Sequence, residues 1–187
     1  GGYAVFLGRM DPDKGAADAV RIARAAGVPL RLAAKMRTRD EHDYFEAEVR
    51  PLLTREHEYV GEVSGTEKLR LLGDAMALLN PIRWAEPFGL AMVEALATGT
   101  PVVGTPNGSA PEIVDHGATG FLAEAGDLPS LLARVAELDR AACRRLTREN
   151  DPPRPAPQGG VNSASRRSAK LPSRRGASRG SGDATTS

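Results

Sequence analysis

Short apolar runs alternate along residues 1–150 with longer segments whose apolar positions recur every three or four residues. YAVFL (3–7), VPLRLAA (28–34), EYVGEV (58–63), MALLNPI (76–82), PVVGT (101–105) and GFLAE (120–124) have strand length and strand composition. Between them lie helix-period segments: 15–27, ending at Gly27; 40–53, with Asp40 as the expected N-cap; 65–75, opening on Thr66; and 127–149. Strands that alternate with helices of ten or more residues imply βαβ units. The expected fold is therefore α/β, a Rossmann-like doubly wound parallel sheet with helices on both faces.

One segment breaks the polar–apolar rhythm. In RWAEPFGLAMVEALATG (83–99) the residues from Phe88 to Ala97 are apolar all round except Glu94, which predicts a helix buried on every side. Pro87 suits a first helical turn. Glu86 stands just before this helix and Glu94 two turns inside it, and ionised carboxylates are costly to bury without partners.

Charge is unevenly spread. Residues 151–187 carry seven Lys and Arg against two Asp, which leaves 18 basic and 22 acidic residues over 1–150, a net of −4. The mildly acidic body argues against specific nucleic-acid binding. The last segment, rich in Pro, Ser, Gly and Arg, cannot bury enough apolar surface to offset its ordering entropy. The expected division is a domain over 1–148 and a disordered basic tail over 149–187. The pairs Arg166-Arg167 and Arg174-Arg175 suit an anionic surface such as a membrane or a lipid acceptor, and a frameshifted or aberrant terminus accounts for the same composition. A single cysteine, Cys143, excludes an internal disulfide and fits a reducing compartment. With no signal peptide and no long apolar run, the expected location is the cytoplasm, with peripheral contact at the inner membrane face.

Ligands of doubly wound sheets bind outside the carboxyl ends of the strands, so the loops there carry the chemistry. GRMDPDKG (8–15) follows the first strand. Gly8 permits a close backbone approach, and Arg9 and Lys14 bring two cations to a helix start, a combination that suits a diphosphate. A polar turn with solvated cations explains the spacing equally well, but a lysine at a helix N-terminus is disfavoured by the macrodipole. Carboxylates such as Glu86 and Glu94 accept hydrogen bonds from vicinal hydroxyls, the pattern on hexoses and riboses. Lys35, Arg37 and Arg39 cluster after the second strand, where a solvated basic loop is the plainer explanation. The Gly-rich loop 104–120 holds Glu112 and is long enough to be functional. His42 and His57 lie in charged surroundings expected to be exposed, and His116 lies in that loop; they show no metal-ligand spacing. Trp84 is expected to pack beside the site. Neither G-x-x-x-x-G-K-[ST] nor G-x-G-x-x-G occurs, so no P-loop NTPase or ordinary dinucleotide dehydrogenase is indicated.

FLGRMDPDKG, EKLRLLGDAMALLNPIRWAEPFGLAMVEALATGTPVVG and GSAPEIVDHGATGFL together resemble the C-terminal domain of retaining GT-B-fold glycosyltransferases of family 4, over about residues 3–145. The Glu86–Glu94 spacing matches that family's E-x7-E motif. The resemblance implies a nucleotide-diphosphate-sugar donor site. In it Arg9 and Lys14 contact the diphosphate, Glu86 the sugar hydroxyls and Glu94 the ribose, with Arg9, Lys14 and Glu86 as the catalytic set. Gly8 and the backbone N–H groups of Phe88, Gly89 and Leu90 hold sugar and phosphates, while Lys35, Glu62 and Val63 approach the base. It implies no divalent metal and no further cofactor.

The same resemblance implies an N-terminal acceptor-binding domain that these residues do not include. The family pattern also stops after LDRAACRR, where LTRENDPPRPAP takes over. The expectation is a fragment that binds donor and has no transferase activity alone. A non-catalytic nucleotide-binding or interaction module with a basic tail is the alternative.

Overall fold

The computed structural model describes residues 1–149; the tail expected over 149–187 falls outside the described residues from residue 150 onward. Six strands form one sheet: β1 (Ala4–Arg9), β2 (Leu30–Lys35), β3 (His57–Gly61), β4 (Ala77–Asn80), β5 (Val102–Gly104) and β6 (Gly120–Leu122). Every pairing is parallel, and the order is β3-β2-β1-β4-β5-β6. The order reverses between β1 and β4, which opens a crevice at their carboxyl ends. The helices are α1 (Ala16–Ala26), α2 (Arg39–Tyr44), α3 (Gly65–Asp74), α4 (Leu90–Ala97), α5 (Ala110–Ile113), α6 (Leu128–Ala133) and α7 (Arg140–Glu149). The Rossmann-like expectation holds.

Strand alternation sends side chains to two cores. Ala4, Phe6, Leu32 and Leu79 pack with α1 and α6 on one face, while Val5, Leu78 and Val102 pack with α4 and α7 on the other. Leu78, on a central strand, is fully buried, and burial of a leucine contributes about 1.5–3 kcal/mol relative to leaving it exposed.

The strands lie where the pattern placed them, but helix ends differ. Thr38, not Asp40, caps α2. Its hydroxyl accepts from Glu41 N, and the Glu41 carboxylate accepts from the backbone of Arg37 at 2.6 Å and Thr38 at 3.1 Å. Those two backbone donors hold the Glu41 carboxyl below the usual carboxylate range. The T-x-x-E spacing of a capping box was present in the sequence. The helix expected over 40–53 changes pitch, passing through a π turn (Phe45–Val49) into a 3-10 turn (Arg50–Leu52), where Pro51 has no N–H to offer. Helix α3 opens one residue early, at Gly65.

The segment 127–149 is not one helix. After α6 comes a 3-10 turn (Val135–Glu137), and then α7 starts afresh, with Ala141 N donating to Asp139 Oδ1 at 2.8 Å. The break carries the chain across the sheet edge: Leu128, Leu132 and Val135 belong to the α1 face, Cys143 and Leu146 to the α4 face. Arg140 anchors the new helix. It donates to Ala75 O (2.6 Å), Gly73 O (2.7 Å) and Thr100 Oγ1 (3.1 Å), capping the end of α3. No helix among the described residues is long and apolar enough to cross a membrane.

Candidate functional site

A cavity of about 420 Å³ opens at the switch between β1 and β4. It is lined by Gly8, Arg9, Lys14, Lys35, Glu62, Val63, Glu86, Phe88, Gly89, Leu90 and Glu94, so the structure brings together the residues that the family resemblance assigned to a donor site. Arg37, Arg39 and Glu112 stay outside it. Arg37 pairs with Glu62 at 3.4 Å and Arg39 with Asp43 at 3.6 Å, as a solvated basic loop would.

Parallel pairing sets Arg9 opposite Lys35 at the ends of β1 and β2. Two like charges on facing positions repel, and neither side chain makes a hydrogen bond or ion pair with another described residue. Glu41 offsets part of the Arg9 charge through space, and the two cations side by side at the strand ends suit an anionic ligand. At Gly8, which lines the cavity, a Cβ would meet the Phe6 ring at 3.4 Å and Lys14 Cβ at 4.0 Å, ordinary contacts, so packing does not demand the glycine.

The two motif glutamates are each met by a lysine. Lys14 ion-pairs with Glu86, with side chains 20% and 19% exposed, and its Nζ lies 4.8 Å from the Trp84 ring centroid. Lys68, from the first turn of α3, reaches Glu94 Oε1 at 2.5 Å. These partners resolve the cost of placing carboxylates among apolar residues.

The glutamates are positioned by neighbouring loops. Arg83 ties the β4–α4 loop to the β1–α1 loop, its backbone N donating to Asp13 O (2.8 Å) and its guanidinium to Asp18 (2.7 Å). Ser109 N donates to Glu86 O at 2.8 Å, and Gly108, with φ +59°, lies so close that a Cβ would fall 2.3 Å from both Glu86 N and Glu86 O. Helix α4 begins at Leu90, not at Pro87. Its N-cap Gly89 is left-handed (φ 60°) and supplies no side chain to the first-turn N–H groups. Glu94 therefore sits about 6 Å along the helix from its first residue.

Helix α4 is also not buried on every side. Phe88 is 74% and Leu90 70% exposed, forming an apolar rim at the cavity mouth. Uniform hydrophobicity signalled a buried helix; it does not reveal which apolar positions face a crevice instead. His57 departs in the other direction. It is buried, with Nδ1 2.7 Å from Thr54 Oγ1, far from the cavity. His116 is exposed and accepts from Leu122 N at 3.1 Å, a turn role.

With this geometry in place, comparison with known proteins decides the family. The model described as glycosyl transferases group 1 matches residues 1–139. The chain belongs to that family. A glycogen synthase of Mycobacterium tuberculosis is 34% identical over 152 residues, covering 77% of this chain and 36% of that protein. The crystal structure of AviGT4, a glycosyltransferase involved in avilamycin A biosynthesis, superposes with a TM-score of 0.67 at 33% identity, over 80% of this chain and 46% of that one. HepE of Anabaena in complex with UDP and glucose superposes at 0.63 and 25% identity, over 78% and 41%. The group 1 domain described here thus spans less than half the length of each of these proteins, and its fold is the Rossmann-like α/β domain found in GT-B glycosyltransferases.

Two polar lining residues of this group 1 domain carry no assignment from the sequence, Lys68 and Asn80. Lys68 carried the signal applied to Lys14, a lysine in the first turn of a helix. Asn80 carried none, because its place at the end of β4 matters only once the switch point is known.

Proposed function

We propose that this chain is the donor-binding half of a retaining, family 4 glycosyltransferase, and that its cavity takes a nucleotide-diphosphate sugar. The observation that carries the proposal is the joint placement of Arg9, Lys14, Glu86 and Glu94 around the uncapped start of α4 in one cavity at the switch point. Relatives of the same fold support it: HepE was crystallised with UDP and glucose.

On this reading the diphosphate lies against Arg9, Lys14 and the N–H groups of Phe88, Gly89 and Leu90. Glu86 accepts from the sugar hydroxyls and Glu94, held by Lys68, from the ribose. Gly8 leaves room for the phosphates, and Lys35, Glu62 and Val63 border the base. When the sugar–phosphate bond breaks, negative charge builds on the departing diphosphate. Fixed cations and oriented N–H groups stabilise that charge without reorganising, so no metal ion is called for. Acceptor binding falls to a second, N-terminal half, and the 187-residue chain alone turns over no donor.

Calorimetric titration of the 187-residue chain with UDP and GDP tests this. One of the two should bind, and Lys14→Ala and Glu94→Ala should each weaken it about 10- to 100-fold, the effect of removing a charge-assisted hydrogen bond. Binding indifferent to both variants, or lost only when residues 151–187 are removed, would favour a non-catalytic interaction module. Turnover of a nucleotide sugar by the isolated chain would contradict the division into halves.

A further inference from the structure

The cations of the cavity differ in how they are engaged. The side chains of Arg9 and Lys35 make no hydrogen bond or ion pair with described residues, whereas that of Lys14 is held twice, by the Glu86 carboxylate and by the face of Trp84. Both of its partners belong to the β4–α4 loop, which is tied to the lysine's own loop through Arg83. The lysine is thus held at the carboxylate from two sides.

The ion pair commits one of the three ammonium donors and holds the charge toward Glu86 instead of toward an incoming phosphate. Equally, Lys14 occupies part of the Glu86 Oε2 acceptor capacity and neutralises charge that would strengthen a bond from a sugar hydroxyl. A diphosphate carries more charge and more acceptor oxygens than one carboxylate, so it competes for the ammonium. We propose that Lys14 is an exchangeable latch on Glu86: the diphosphate draws the lysine away and thereby frees the carboxylate to read the sugar. This rests on the donor-site reading above and adds an order to it. Sugar recognition by Glu86 is strengthened once the diphosphate is bound, because a free monosaccharide meets a carboxylate still partly neutralised by Lys14.

The proposal makes a counterintuitive prediction for Glu86→Gln. Removing a residue that contacts the ligand usually weakens binding, but UDP lacks the sugar that Glu86 would hold. For UDP, Glu86 acts only as an internal competitor for Lys14. Release from a partly exposed ion pair is expected to tighten UDP about two- to fivefold. In the Lys14→Met background the same change should give no gain, whereas a mere loss of negative charge from the cavity would tighten binding in both backgrounds.

Trp84, the one tryptophan of the chain, supplies a second readout. Its fluorescence should change on adding UDP, as the ammonium leaves the ring, and stay constant on adding uridine, which has the same base and no phosphate. Lys14→Met should abolish the UDP-specific change. GDP and guanosine replace this pair if GDP is the nucleotide bound. The latch is overturned if Lys14→Met weakens the nucleotide while Glu86→Gln leaves it unchanged or weaker, or if the gain persists without Lys14; the donor site survives that result. If neither UDP nor GDP binds the unmodified chain, the donor site and the latch fall together.

Discussion

Gly108→Ala is expected to cost about 2–4 kcal/mol of unfolding free energy and to damage the cavity as well. The residue sits at φ +59°, where a side chain costs about 1–2 kcal/mol. The larger part comes from contact, since a Cβ would lie 2.3 Å from Glu86 N and O, and backbone cannot swing aside as a flexible side chain can. Relief requires the loop carrying Ser109 to move off Glu86, breaking the 2.8 Å Ser109 N to Glu86 O hydrogen bond. Urea unfolding would measure the first effect. Titration of the folded fraction would measure the second, a loss of affinity greater for a nucleotide sugar than for the nucleotide alone. Stability within about 0.5 kcal/mol of the unmodified chain would show that the loop does not hold Glu86 in the way described.

Arg140→Met should destabilise by a similar amount, about 2–4 kcal/mol, and leave the folded cavity untouched. The guanidinium joins Gly73 O, Ala75 O and Thr100 Oγ1, so its loss strands the last carbonyls of α3 and loosens α7 from the sheet. Arg140→Lys should recover only part of the loss, because an ammonium cannot reproduce the planar fork. Nucleotide affinity per folded molecule should be unchanged, which separates this variant from Gly108→Ala. An affinity loss in Arg140→Met that matches its stability loss would contradict the assignment of Arg140 to scaffold alone.

The contrast between these residues shows what could be read from the sequence. Strand and helix alternation follows from local apolar spacing, and it was enough to direct attention to the strand-end loops where Arg9, Lys14 and Lys35 lie. Glu86 and Glu94 stood out because carboxylates are anomalous among apolar neighbours. Their partners did not. Lys68 is 26 residues from Glu94 and Lys14 is 72 from Glu86, separations that only the strand order closes. The break at Leu138-Asp139 was hidden for a related reason: the periodicity continues through it, and the chain bends there because its two halves pack on opposite faces of the sheet. His57 looked exposed by its charged neighbours, yet it begins an edge strand and turns inward.

The donor-site proposal is tested most directly by mapping nucleotide binding onto the backbone of the full 187-residue chain with amide chemical shifts. On titration with UDP and GDP, the account predicts that the bound nucleotide perturbs Gly8 to Lys14, Lys35, Glu62, Val63 and Phe88 to Glu94 most. Shifts gathered instead around Arg24, Arg55 and His57, which line a shallow hollow at the opposite end of the sheet, or no shifts with either nucleotide at millimolar concentration, would contradict it.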